Sequence, residues 1–500
     1  MMRPSLRERL TGWPTPSWPT PSWPTPSWAT PLLALGKGAR LRRKGVDEAR
    51  RGQAGPAAIL LDRAARAGDV EAQIALARLY ETGEGVVRNL CDAVAWYRRA
   101  AEAGHPVAQA RLATLLVLGA APQHDLPEGA WPGLFPNGVA LASQPEEARR
   151  HAEASADAGD IEGRAIAGYL LAAGIGGPVD PVRAAAYCRP AAEAGNTEAA
   201  LGLGTLYAGG HLGAVDHVEA RAWFLKAAEA GNATALHSLG IQCLNGFGQP
   251  ADPAAAARWL EAAAQKGHVG ATRLLGLMLR EGRGIARDPA RAETLLRAAA
   301  ARGDVDAMAA LGDGYAGNHD EEAARWYRQA ADRGHRGAQY AIATFYRAGR
   351  GVPRDPALAA RWTEQAAEAG NRQAQFEIGV AYANGEGVAR DLSRAADWSR
   401  RAAEAGHPTA KVNLGRFQMQ GVGVPRDPVE AMKWLSAAIE DGEMTAIAAL
   451  GELFAFWSDP PDVPKARKLL KQAAALGDQR ATVMLARLNV RAEGGSSAAH

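Results

Sequence analysis

Residues 370–406 read GNRQAQFEIGVAYANGEGVARDLSRAADWSRRAAEAG, and most of the chain is this stretch repeated with variations. Counted from Gly370, Ala374, Ile378-Gly379 and Tyr382 lie four, eight, nine and twelve residues on, the spacing of one face of a 3.6-residue helix. Gly385-x-Gly387-Val388 ends that helix. Asp391 starts a second one, along which Ala395, Trp398 and Ala402-Ala403 recur, and Gly406 closes it. Glycine suits that position because it takes the left-handed conformation after a helix without a Cβ penalty. Two helices joined by a short turn pack antiparallel, and small residues at the crossing let their backbones approach. A single pair of this size cannot bury its own apolar face, so neighbouring pairs must stack.

The same Gly recurs as Gly68, Gly104, Gly159, Gly195, Gly231, Gly267, Gly303, Gly334, Gly370, Gly406, Gly442 and Gly477. Eight of the eleven intervals are 36 residues; the others are 55, 31 and 35. Eleven residues before the Gly every interval has Ala, and eight before it seven have Trp, as in Trp96, Trp223 and Trp398. Nine after it lies Gly or Ala in all twelve copies. Asp252-Pro253, Asp288-Pro289, Asp355-Pro356 and Asp427-Pro428 mark starts of second helices, Asp as N-cap and Pro at the first helical position. The Trp is expected to wedge one repeat against the next. Five hundred residues would ordinarily suggest three or four domains; the period replaces them with one all-α solenoid of about eleven 36-residue helix-turn-helix repeats.

This pattern resembles the Sel-one-like repeats, relatives of the tetratricopeptide repeats. The likeness extends over about residues 57–490. It implies a right-handed α-solenoid acting as a protein-interaction scaffold or adaptor, non-enzymatic, in bacterial signalling or envelope regulation. Some cysteine-rich relatives are described as β-lactamase-like, which leaves a weak β-lactam or cell-wall hydrolase as one alternative and an exported envelope or host-contact factor as another. The cysteine pairs of that subgroup are missing here: Cys91, Cys188 and Cys243 are odd in number and far apart.

By the same resemblance the first helix of each pair lines a concave face, at offsets three, six, ten and thirteen from each Gly. These positions vary from copy to copy while the packing offsets do not. They name His237, Ile241 and Leu244; Arg273, Leu277 and Arg280; Tyr340, Thr344 and Arg347; Phe376 and Val380; and Val412 and Arg416. Apolar surface flanked by Arg suits a peptide with hydrophobic anchors and an acidic group. The long interval adds a loop insertion at 119–144, and two readings of its Trp131 and Phe135 stay open: packing back on the solenoid, or presentation to a partner.

Outside the repeats, residues 13–27 read WPTPS three times, proline-rich chain that is neither helix nor strand. Either it is a ligand for an aromatic-lined groove or it is a repeat expansion without structure. Leu32-Leu33-Ala34-Leu35 is too short for a secretory apolar core, and its basic residues follow rather than precede it. That favours a cytoplasmic protein, with periplasmic or secreted routes open if Met1 is not the true start. Residues 1–45 are expected to be a disordered Pro/Trp-rich and basic segment, 46–490 the solenoid, and 491–500 a disordered tail. A formal charge of +3 is too small for a nucleic-acid coat, and no apolar run is long enough to span a membrane.

No catalytic or cofactor motif appears. Ser-x-x-Lys, His-Glu-x-x-His, Cys-x-x-Cys and the phosphate-binding Gly-rich loop are all missing from the sequence. The Gly-x-Gly elements follow helices rather than strands, so they read as turns, not dinucleotide cradles. His105, His268, His335 and His407 each follow an anchor Gly and read as turn residues bonded to local backbone. No cofactor or metal is expected; the partner is a protein or peptide, and the oligomeric state is undetermined.

Overall fold

The computed structural model describes residues 37–118 and 143–496, and among these it is helical with no strand. The chain divides into two compact units, Met1–Met278 with Gly282–Arg287 and Leu279–Glu281 with Asp288–His500. The first unit contains α1 (Lys37–Arg50), α2 (Ala54–Arg66), α3 (Val70–Thr82), α4 (Leu90–Glu102), α5 (Pro106–Leu118) and α6 (Pro145–Asp157). It continues with α7 (Ile161–Ala173), α8 (Pro181–Glu193), α9 (Thr197–Ala208), α10 (His217–Glu229), α11 (Ala233–Asn245) and α12 (Pro253–Gln265). The division falls inside α13 (Val269–Glu281). The second unit contains α14 (Pro289–Ala301), α15 (Val305–Tyr315), α16 (Asp320–Asp332), α17 (Arg336–Ala348), α18 (Pro356–Glu368) and α19 (Arg372–Asn384). After these come α20 (Leu392–Glu404), α21 (Pro408–Gln420), α22 (Pro428–Glu440), α23 (Thr445–Glu452), α24 (Val463–Ala475) and α25 (Gln479–Ser496).

Each unit is an α-solenoid segment in which successive helices pack on one another, α1 through α12 in the first and α14 through α25 in the second. First helices of successive pairs also lie side by side, α5 and α9 against α7 in one unit, α21 and α25 against α23 in the other. Most helices of the repeats carry a side-chain cap, those starting after Gln144, His319 and Met444 being exceptions. Asp252, Asp355 and Asp427 accept amides at the starts of second helices as expected. The residue after most anchor glycines does the same for the first helix: Asp160, Asn232 and Asn371 each accept the amide three residues on. His268, His335 and His407 do so through Nδ1. An imidazole accepting at Nδ1 is neutral with its proton on Nε2.

The helix crossing is closer than the repeated alanines alone require. A Cβ on Gly204 would meet the Phe224 ring at 2.5 Å, one on Gly240 the Leu260 side chain at 2.7 Å, and one on Gly415 Leu435 at 2.8 Å. Each partner sits seven residues before the next anchor Gly, and that position is buried in every described copy, from Tyr97 through Cys188 and Leu296 to Leu470. The Trp one place earlier keeps the between-repeat position expected of it, though mostly at half burial. Only Trp223 and Trp398 are buried and the remaining repeat tryptophans are half-buried; tryptophans of both kinds carry a cation, as with Arg99 over Trp96 at 4.7 Å and Arg401 over Trp398 at 4.6 Å. The residue beside the Trp fills the crossing because it faces the Gly nine places along the first helix. Trp packs between repeats at the rim, as Trp434 does beside Ala402 and Ala403.

The second Gly of each Gly-x-Gly does more than turn. A Cβ on Gly387 would lie 2.0 Å from the Pro356 carbonyl oxygen, and one on Gly423 2.1 Å from that of Leu392. In both cases the loop rests on the first residue of the preceding repeat's second helix. Two boundaries also move. Residues 37–45, expected to be unordered, begin α1, which packs on α2 with Gly45 against Leu61 and with Arg42 paired to Asp69 at 3.1 Å. Arg40 stands where the repeat pattern calls for Ala, so the period does not mark this pair. At the other end α25 continues to Ser496, past the expected boundary at 490. No helix among the described residues is long and apolar enough to cross a membrane.

Candidate protein-binding face

The first helices place their variable positions in a half-exposed strip, and the two units use it differently. In the first unit His237 stacks on His268, centroids 4.2 Å apart. Burial, then the neighbouring His268 and Arg273, push the His237 imidazole down to about 4. Arg273, Ile241, Leu244 and Leu277 stand half-buried on the same face. Near the start of this unit Arg111 bridges Glu81 and Glu162, and Tyr97 donates to Glu81 at 2.9 Å.

In the second unit the centre of the strip is Glu377. Tyr340 donates its hydroxyl to it at 2.5 Å, Arg347 a guanidinium N–H at 2.6 Å, and Gln373 its amide at 3.0 Å. Burial works against the Glu377 charge, but these three donors outweigh it and hold the carboxyl below its ordinary range. The same contact, with burial acting first, pushes the Tyr340 phenol up to about 12. Arg347 also reaches Thr363 at 3.2 Å. Phe376 stacks on His407, centroids 4.3 Å apart and 14° from parallel, and burial lowers the His407 imidazole.

Of the residues named from sequence, the structure thus brings together Tyr340 and Arg347 through Glu377, and sets Phe376 beside them on α19. Arg280 is spent on the Ala310 carbonyl at 2.8 Å. Thr344 bonds Ala341 within its own helix, Val380 is half-buried, and Arg416 is half-buried on α21. Val412 is corrected: it is 2% exposed, in a core with Met419, Leu450 and Leu453, because α23 lies directly over that turn of α21. Trp131 and Phe135 lie outside the described residues.

Glu377 was missed because its offset, seven from the anchor, was not counted as facing the strip. The signal was available. Arg347 and Glu377 are 30 residues apart, as are Glu81 and Arg111, with the charges exchanged. A second set of contacts joins the cap residue to the first turn of a neighbouring repeat, as in His105 to Glu71, Asn232 to Glu198 and His407 to Gln373.

Nothing on this face assembles chemistry. Among the described residues no three His, Cys, Asp or Glu side chains stand together as a metal site. His268, His335 and His407 are caps bonded to local backbone, as the sequence suggested, whereas His105 makes no such bond and meets Glu71 through Nε2. Burial pushes the Cys188 thiol up to about 12, the opposite of an activated nucleophile.

Comparison with known proteins follows the repeats. The Sel1 repeat model matches residues 70–105, 163–196, 197–232, 233–268, 270–304, 305–335, 337–371, 372–407, 408–443 and 445–478. Among solved structures, the chain is similar to a protective antigen present in uropathogenic Escherichia coli strains that displays an SLR fold. The two are 27% identical over 87% of this chain and 90% of that one, with a TM-score of 0.52. It is also similar to a Sel1 repeat protein from Oxalobacter formigenes, 26% identical over 57% and 99% of the respective chains, TM-score 0.33. No curated protein matches.

Proposed function

The chain belongs to the Sel1 repeat family, and from that premise we propose that it is a scaffold that binds a protein or peptide along its first-helix face. Proteins built of such repeats are generally interaction scaffolds, and generally not catalysts. The observation that carries the reading is the strip around Glu377. An aromatic ring on a histidine, a phenol and a guanidinium are each fixed by a neighbour yet keep partial exposure. Side chains already immobilised lose little rotamer freedom when a partner arrives, typically about 0.5–1.5 kcal/mol saved for each. Tyr and Arg are also the residue types most enriched among binding hot spots.

The ligand that fits is an extended or helical peptide with hydrophobic anchors for Phe376 and Val380. We place this role in bacterial signalling or envelope regulation, with a host-facing role as the alternative in view of the matched antigen. Panning a phage-displayed peptide library on the full chain, then measuring the selected peptides by fluorescence anisotropy, tests the face. Replacing Tyr340, Arg347 and Phe376 together by Ala should weaken binding at least about tenfold. Unchanged affinity in that variant would remove this face as the site.

A further inference from the structure

The first-helix cations of the second unit are either held by a partner or, like Arg336 and Arg372 at the starts of α17 and α19, exposed to solvent. Arg347 holds Glu377, Lys411 holds Asp441 at 2.6 Å, and Arg280 caps a carbonyl. Arg416 differs. It is half-buried on α21 between Val412 and Met419, which are sunk in the core, and among the described residues its side chain makes no hydrogen bond and no ion pair. A guanidinium carries five N–H donors in a rigid fork, and withdrawing it from water without partners is unfavourable.

Its charged neighbours are Arg480 at the start of α25, Glu452 on α23 and Asp478, the cap of α25. Asp478 is occupied with the backbone amides of Arg480 and Ala481, at 2.8 and 3.1 Å. Arg480 itself is exposed, with no bond to its guanidinium among the described residues. Two cations and two carboxylates sum to zero, so the locus has no field to gather a polyanion. What it offers is unused donors, which favours recognition of one planar oxyanion by hydrogen bonding.

We propose that Arg416, assisted by Arg480, is the receptor for a carboxylate of an acidic peptide on this face. The inference deepens the scaffold reading and rests on it for the peptide, but not for the carboxylate. It adds a defined anchor at the last repeats of the second unit, where the hydrophobic strip of Phe376 and Val380 lies on the helices just before.

The test uses the full chain labelled with 15N-arginine, and sodium acetate alone as the first probe. The Arg416 Nε–H signal, assigned by its loss in R416Q, should shift saturably with acetate in the millimolar range, while that of Arg347 stays still. E452Q, which removes the nearest competing carboxylate, should tighten acetate binding. An Arg416 signal that moves on E452Q but ignores acetate in both proteins would show Glu452 to be its partner and overturn the proposal. The second arm uses library-selected peptides with free or amidated C-termini and with Asp and Glu replaced by Asn and Gln. Losing the critical carboxylate, terminal or side-chain, should cost about 10–100-fold in affinity, and R416Q should cost the same for the acidic peptide. R416K, which keeps the charge but loses the fork, should fall between. Selected peptides that bind wild type and a folded R416Q equally would refute the anchor and leave the scaffold reading intact. Acetate binding at Arg416 with no peptide selected would do the reverse.

Discussion

Gly387→Ala tests whether the loops bind repeats together or only turn the chain. Gly387 has φ +74°, and a Cβ there would lie 2.0 Å from the Pro356 carbonyl oxygen, 2.6 Å from its carbon and 3.1 Å from the Ala360 side chain. Ordinary contact begins near 3.4 Å, so loop and helix must separate by about 1.4 Å. Gly442 is the control, with φ +88° and nothing within 4 Å of its Cβ. The left-handed backbone costs an alanine about 1–2 kcal/mol at either site. Overpacking adds about 1–3 kcal/mol at Gly387 alone. Urea unfolding followed by circular dichroism should therefore place G387A about 1–3 kcal/mol below G442A. Because repeat arrays need not unfold as one, hydrogen exchange gives the local reading: amides in α18 and α19 should lose protection in G387A and keep it in G442A. Equal stability within about 0.5 kcal/mol, with unchanged exchange, would refute a packing role for the second glycine.

Three further outcomes are expected. Glu377→Ala leaves Tyr340, Arg347 and Gln373 without their acceptor and should cost about 1–3 kcal/mol, toward the lower end because Arg347 is exposed. Urea titration at neutral pH measures it, and the wild-type advantage should fade in acid, since a depressed carboxyl stabilises above its unfolded value and loses that as pH falls through the folded one. His237 titrates near 4 against an ordinary 6.5, so the unfolded chain takes up its proton first. Stability should be intact above about pH 6.5 and decline by up to about 3 kcal/mol toward pH 4, a slope that H237Q should flatten in thermal melts. Iodoacetamide with peptide mass mapping should label half-buried Cys91 in the native protein and spare buried Cys188 and Cys243 until denaturant is added.

The scaffold was legible because its constraints repeat by identity. Gly takes the left-handed turn after each second helix without strain, and only Ala or Gly fits the crossings, so those letters recur at every copy. What was not legible is set by complementarity. The buried residue opposite the crossing is Phe224, Leu260, Cys188 or Tyr327 as local volume demands, so no single letter marks it. The analogy places the candidate strip on the first helices, but whether a position there faces solvent depends on the adjoining helix. Phe376 and Val412 share one offset, yet α23 covers Val412 while Phe376 keeps part of its surface beside His407. The α1–α2 pair escaped because it packs like a repeat without spelling one.

The contacts between repeats keep their own step. Residues 36 apart occupy equivalent places and point the same way, so they do not face each other. Partners across a junction must sit further back along the neighbouring helix, and the charge pairs accordingly span 30 residues: Glu81 with Arg111, Arg183 with Glu153, Arg347 with Glu377, Arg394 with Glu364. Glu81–Arg111 and Arg347–Glu377 join the same two offsets with opposite polarity. The geometry must therefore accept either sign, provided the pair is complementary. Reversing one member, E81R, sets two cations together beside Tyr97 and should destabilise the first unit; R111E sets Glu81, Glu162 and the new carboxylate together and should do likewise. The double exchange should recover part of the loss, with a coupling energy of about 0.5–3 kcal/mol in a urea double-mutant cycle. The recovery should be incomplete, because Glu162 loses its cation and Tyr97 its acceptor. Additive penalties, with no recovery in the double variant, would mean that the 30-residue pairs are incidental surface contacts and that the small-residue crossings alone set the junction.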